Sequence, residues 1–140
     1  MPGGIPGPLG AAAFVSFKFA GYLLAAAGLK KIESAITASA LKIAATRTIL
    51  GVLIGPLFTI AAVWLASLFA PNTSFYGVYT ILFCVRVLIW AMILFFFSKR
   101  ADLSIPRLWL LALGGAIWSS LLDWPGYKLA IISPGGISIC

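Results

Sequence analysis

Apolar residues run along this chain in long unbroken stretches and do not alternate with polar ones. Alternation is the mark of a membrane barrel strand, whereas an apolar run of about 20 residues crosses a hydrocarbon core of about 30 Å as a helix. Backbone in lipid must satisfy its own hydrogen bonds, which leaves helices for such runs. The pattern predicts an all-α integral membrane protein, a single domain with four transmembrane helices in a small bundle. The spans fall at about 9–29, 49–70, 78–97 and 108–124.

The spans differ in strength. Eight Leu, Phe and Val residues in the first favour insertion by roughly 2 to 5 kcal/mol, against about 2.5 to 3.5 kcal/mol for Lys18 near its centre, so it leans on its neighbours. Its small residues Ala25 to Gly28 resemble a processing site, but the tail before the span carries no Lys or Arg and Lys18 interrupts the apolar region. A retained span is the reading. The second span is uncharged, with Pro56 expected to kink it, and Pro71 and Asn72 mark its exit. Thirteen Leu, Ile, Val or Phe residues in the third, worth roughly 4 to 8 kcal/mol, outweigh Arg86. Pro106 starts the fourth span and Pro125 with Gly126 is expected to stop it, leaving a tail that packs back on the outer surface.

Two basic segments, 30–48 and 98–107, separate the spans. In the first, Ile32, Ile36, Ala40 and Ile43 recur at helical spacing, so the segment either lies on the membrane surface or, the preferred reading, extends the second helix inward. With four spans both segments share one side, where they hold seven Lys or Arg: Lys30, Lys31, Lys42, Arg47, Lys99, Arg100 and Arg107. The opposite side has Lys128 alone. The positive-inside rule then makes the basic segments cytoplasmic loops in contact with anionic lipid headgroups and puts both termini on the non-cytoplasmic side. Tyr76, Tyr79, Trp124 and Tyr127 fall at the outer boundary and Trp109 at the inner one. Asn72, Thr73 and Ser74 form a glycosylation tripeptide in the short outer loop, read here as a turn.

Composition agrees: 62% of the 140 residues are hydrophobic and 9% charged, too little polar surface to coat a soluble globule. The net charge of +7 sits beside apolar runs, which points to topology and lipid, not to nucleic acid. With two cysteines, Cys84 and Cys140, and no histidine, neither a disulfide framework, a metal site nor a cofactor site is expected.

Charged residues near span centres are costly, and Lys18 and Arg86 lie at similar depth, about 13 and 12 Å below the outer end of their spans. Asp123, with Ser119 and Ser120 one turn deeper, points into the same layer. An Arg86–Asp123 ion pair is expected, with Tyr79 on the same face and Trp90 offering a cation–π contact. Two cations against one carboxylate would leave a positive charge for an anion, a lipid phosphate or a partner's carboxylate.

Small residues supply packing faces: Gly51 and Gly55 in a GxxxG spacing, Gly114, Gly115 and Ala116, and Gly21, Ala25 and Gly28. Catalytic groups are sparse, with Glu33, Asp102 and Asp123 the only carboxylates, and no enzyme is expected. Phe19 to Lys31, FAGYLLAAAGLKK, resembles the first helix of DoxX-like four-helix membrane proteins over under a tenth of the chain, and no function is carried over from it. The leading functional expectation is a small structural or accessory subunit. It would act through helix–helix contacts with itself or other membrane subunits, in the inner membrane of a bacterium. The second is an anion or acidic-lipid site for binding or transport built on Lys18 and Arg86. The third is a membrane-embedded enzyme of lipid or quinone chemistry.

Overall fold

The computed structural model describes residues 7–69, 74–99 and 103–132. They form four helices, α1 (Pro8–Ile32), α2 (Ala40–Phe69), α3 (Ser74–Phe97) and α4 (Ile105–Ile132), each long and apolar enough to cross a membrane. Arg100, Asp102, Cys140 and the Asn72–Thr73 part of the glycosylation tripeptide lie outside the described residues, as do the side chains of Tyr76 and Tyr127 and the end of the tail.

Helix ends follow local chemistry. Pro8 opens α1, where its missing N–H costs nothing, and Lys30 and Lys31 sit in the last turn, where cations favour the helix C-terminus. α2 starts at Ala40, well before the apolar run that marks it in the sequence. The Ser39 hydroxyl accepts the Lys42 N–H at 3.2 Å as an N-cap, and Ile43 and Ala44 are wholly buried, so the inward extension holds from Ala40 onward. α4 does not stop at Trp124 as Pro125 suggests but runs through Pro125 to Ile132. The helix persists because its neighbour holds it there. Gly126 is buried, and a methyl group on it would lie 3.0 Å from the Phe14 ring of α1.

Each helix packs on two neighbours, α1 on α2 and α4, and α3 on α2 and α4, so the four close into a ring. At one end, called here the basic end, the two connections are joined. Ile36 and Ser98 form an antiparallel bridge, the Thr37 N–H donates to the Phe97 carbonyl at 3.0 Å, and the Lys99 N–H donates to the Ala35 carbonyl at 2.9 Å. Arg107 Nε lies 2.7 Å from the buried Glu33 carboxylate, which also accepts the Ala35 N–H.

Above this clasp the interior is apolar and tight, with Ala26, Ile43, Ala44, Leu94 and Ala112 fully buried. Toward the opposite end the ring loosens. From Val52 to Leu68, Ala62 is the one buried side chain of α2 among those described, and a groove of about 410 Å³ opens between α2 and α3.

Candidate functional site

Midway along the bundle, two polar layers lie one helical turn apart. Lys18 precedes Tyr22 on α1, Arg86 precedes Trp90 on α3, and Asp123 follows Ser119 on α4, each by four positions, a rise of about 6 Å. The sequence register of three helices thus stacks two side-chain sets in the same order.

In the layer nearer the groove, the Asp123 carboxylate is shared. Lys18 Nζ pairs with Oδ1, and Arg86 Nη2 pairs with Oδ2 at 2.5 Å. Arg86 Nη1 also donates to Ser120 Oγ at 2.8 Å, and the Ser120 hydroxyl in turn donates to the Ala116 carbonyl at 3.0 Å. The Lys18 ammonium lies 4.7 Å from the centre of the Phe14 ring, so its remaining surface is held by an aromatic face. These side chains retain 18 to 25% of their exposure, which places the charges at the edge of the bundle interior.

In the deeper layer each helix contributes one residue: Tyr22, Arg47, Trp90 and Ser119. Tyr22 and Ser119 share a hydrogen bond of 2.8 Å, and Arg47 Nη2 donates to the same Ser119 Oγ at 3.2 Å. The Arg47 guanidinium carbon stands 5.1 Å from the Tyr22 ring centre and 5.8 Å from that of Trp90. These two rings meet edge to face at 6.1 Å. Arg47 is 4% exposed and faces a hydroxyl, not a carboxylate. Two buried donors in this layer, Arg47 Nε and Trp90 Nε1, have no acceptor among the described residues.

Arg47 is the main correction to the sequence reading, which puts it among the cytoplasmic lipid contacts. It lies inside α2, and its side chain enters the bundle because Ile43 and Ala44, a turn earlier on the same face, are core residues. The spacing from Ile43 to Arg47 was the available signal. Trp90 correspondingly presents its ring to Arg47, and Arg86 takes Ser120 and Asp123 as its polar partners.

The glycines divide as well. A methyl group on Gly115 would lie 2.5 Å from the Trp90 indole, so this bare backbone is what admits Trp90 to the centre. Gly114 and Gly55 have nothing within 4 Å of such a methyl, and Gly51 meets only Arg47 Nη1 at 3.4 Å. Packing within the four-helix unit therefore accounts for Gly115 and not for Gly51, Gly55 or Gly114. Gly51 instead gives the Arg47 side chain clearance along its own helix.

Of the remaining basic residues, Lys30, Lys31, Lys42 and Lys99 are exposed at the basic end, with Lys42 over the Phe97 ring at 5.4 Å. Arg107 is half-exposed and committed to Glu33. Lys128 lies over Trp124 at 3.8 Å, beyond the far side of the polar layers.

The groove reaches the first layer. Thr59 and Val63 of α2, Val78, Tyr79, Leu82 and Arg86 of α3, and Asp123 of α4 line it. Its walls are apolar and its inner end carries the ion pair. Among the described residues no three His, Cys, Asp or Glu side chains converge, so the chemistry of the cluster is that of cations gathered around a single carboxylate. No known protein family, characterised protein or solved structure matches the chain, and the resemblance of Phe19 to Lys31 to DoxX-like proteins is extended by none of them.

Proposed function

We propose that the protein is a four-helix membrane bundle that binds an anionic group at the layer of Lys18, Arg86 and Asp123, reached through the groove between α2 and α3. The observation that carries this reading is the charge balance: Lys18, Arg86 and Arg47 stand against one carboxylate, Asp123, which pairs with the first two, in the interior half of their helices. Each cation costs roughly 2.5 to 3.5 kcal/mol at the centre of a span, and a bundle that needed only stability would balance them or replace them with apolar residues. Binding is favoured over passage, because Ala26, Ile43, Ala44, Leu94 and Ala112 pack without exposure between the polar layers and the basic end. In this reading the basic end faces a cytoplasm, both termini lie on the other side of a bacterial inner membrane, and Lys30, Lys31, Lys42 and Lys99 rest among anionic headgroups.

The test is equilibrium binding of short-chain lipids to the purified protein in a zwitterionic detergent. An acidic lipid should bind at least about tenfold more tightly than its zwitterionic counterpart, and Arg86→Gln should remove the difference, in line with the strength of charge-assisted hydrogen bonds. Equal binding of the two lipids by the unaltered protein would refute the reading.

A second reading, an accessory subunit acting through helix–helix contacts, is favoured by one feature. A methyl group on Gly55 would meet nothing within 4 Å, while Leu53, Leu57, Ile60 and Trp64 stand exposed on the same helix. Lipid covers such a face as readily as protein does. A mass in mild detergent that falls from oligomer to monomer in Gly55→Leu would support the subunit contact.

A further inference from the structure

We infer that the anion is a phosphomonoester headgroup carried on a membrane lipid. This inference rests on the proposed anion site and names its ligand class.

The first argument is charge. Asp123 has two carboxylate oxygens, one taken by Lys18 and the other by Arg86, and the direct contacts of Arg47 are the neutral Ser119, Tyr22 and Trp90. The cluster therefore holds two positive charges in excess. The other charged groups do not alter that balance. Arg107 and Glu33 neutralise each other at the basic end, and Lys128 is exposed over Trp124, where water and salt screen it. A phosphodiester headgroup brings one negative charge, whereas a phosphomonoester carries about 1.5 to 2 at neutral pH and matches the excess.

The second argument is the division of labour among the cations. Arg86 lines the groove and offers the phosphate the guanidinium N–H donors that Asp123 and Ser120 leave over. Arg47 does not line the groove. It lies a helical turn deeper, 4% exposed and without a carboxylate, so its contribution is the field of a poorly screened charge. That field rewards the second negative charge on the head without making a bond to it.

The third argument is access. The groove runs between helices whose walls, Val63, Val78 and Leu82, are apolar and whose rim residues Thr59, Val63 and Tyr79 are exposed to the outside of the bundle. A lipid can lay its chain along these walls and present only its head to Arg86. A free phosphate would have to shed water along an apolar wall before reaching a counter-charge.

The experiment is native mass spectrometry of the full chain in detergent with equimolar dioleoyl phosphatidate and dioleoyl phosphatidylglycerol, and dioleoyl phosphatidylcholine as the zwitterionic reference. Phosphatidate should be retained over phosphatidylglycerol by about tenfold, given two charges against one in a partly desolvated site. Arg47→Met, which lowers the excess to one charge without touching the groove, should bring that ratio close to unity while binding of phosphatidylglycerol over phosphatidylcholine survives. Equal retention of the two acidic lipids by the unaltered protein, still lost in Arg86→Gln, would overturn the phosphomonoester and leave the anion site standing. Retention of no acidic lipid above phosphatidylcholine would remove the site itself. Displacement of phosphatidate by glycerol phosphate at matching concentration would overturn the lipid source.

Discussion

Arg47 and Ser119 sit on diagonally opposed helices, α2 and α4, and Arg47 Nη2 reaches Ser119 Oγ at 3.2 Å across the axis of the bundle. Tyr22 and Trp90 close the other diagonal with an edge-to-face contact at 6.1 Å. The centre is thus tied by side chains from all four helices, and a guanidinium is placed where an aliphatic side chain would have been cheaper.

That placement predicts an unusual mutant. Replacing Arg47 with Met removes a buried charge that has no carboxylate and should leave the midpoint of thermal unfolding in detergent unchanged or higher, as when buried ionic groups give way to apolar ones of similar volume. A loss of more than about 2 kcal/mol would mean that Ser119 and the two rings compensate the charge fully.

Asp123 should behave in the opposite way. Asp123→Ala strands Lys18 and Arg86 together and is expected to cost about 3 to 5 kcal/mol, the usual penalty for breaking a buried pair. Adding Lys18→Met and Arg86→Met to the same chain should recover most of it. If the triple variant unfolds as easily as the single one, the carboxylate is holding something other than these cations.

Gly115 and its neighbour Gly114 form a matched pair for testing the packing at the centre. Gly115→Ala drives a methyl into the Trp90 ring and should lose about 1 to 3 kcal/mol with a shifted tryptophan emission. Gly114→Ala meets open space and should stay within about 0.5 kcal/mol of the parent. Equal effects at the two positions would place Trp90 elsewhere.

Orientation is measurable with Cys84 and Cys140 replaced by serine. In intact bacterial cells a membrane-impermeant maleimide should label Lys128→Cys and leave Ser104→Cys untouched until the cells are opened. The reverse pattern would invert the proposed topology and put the basic collar outside.

The four helices were legible because only a long apolar run satisfies backbone in lipid, and that signal survives single charges such as Arg86. Lys18, Arg86 and Asp123 stood out for the same reason, since an ionised group in such a run needs a partner. Arg47 was masked by its neighbourhood. In a segment with Lys30, Lys31 and Lys42 a further cation reads as a headgroup contact, and only the stripe through Ile43 distinguishes it. The passage of α4 through Pro125 was hidden because proline's local preference argues for a stop, and what overrides it is the fit of Gly126 against Phe14, a contact between residues far apart in the chain.

The backbone bridge between Ile36 and Ser98 has a mechanical side. It fastens the α1–α2 hairpin to the α3–α4 hairpin at the basic end, with Arg107 and Glu33 as a second fastening beside it. At the opposite end residues 70–73 join α2 directly to α3, so the groove between these helices is tethered at both ends and can widen only by its walls bowing apart between the tethers. Thr59, Val63 and Tyr79 line the groove between the two tethers, while Arg47 and Ser119 lie closer to the clasp. Admission of a lipid head would then spread the groove walls and leave the central diagonal intact. Paired spin labels on Val63 and Tyr79 should report a longer distance with phosphatidate bound, while labels on Ser34 and Lys99 report none.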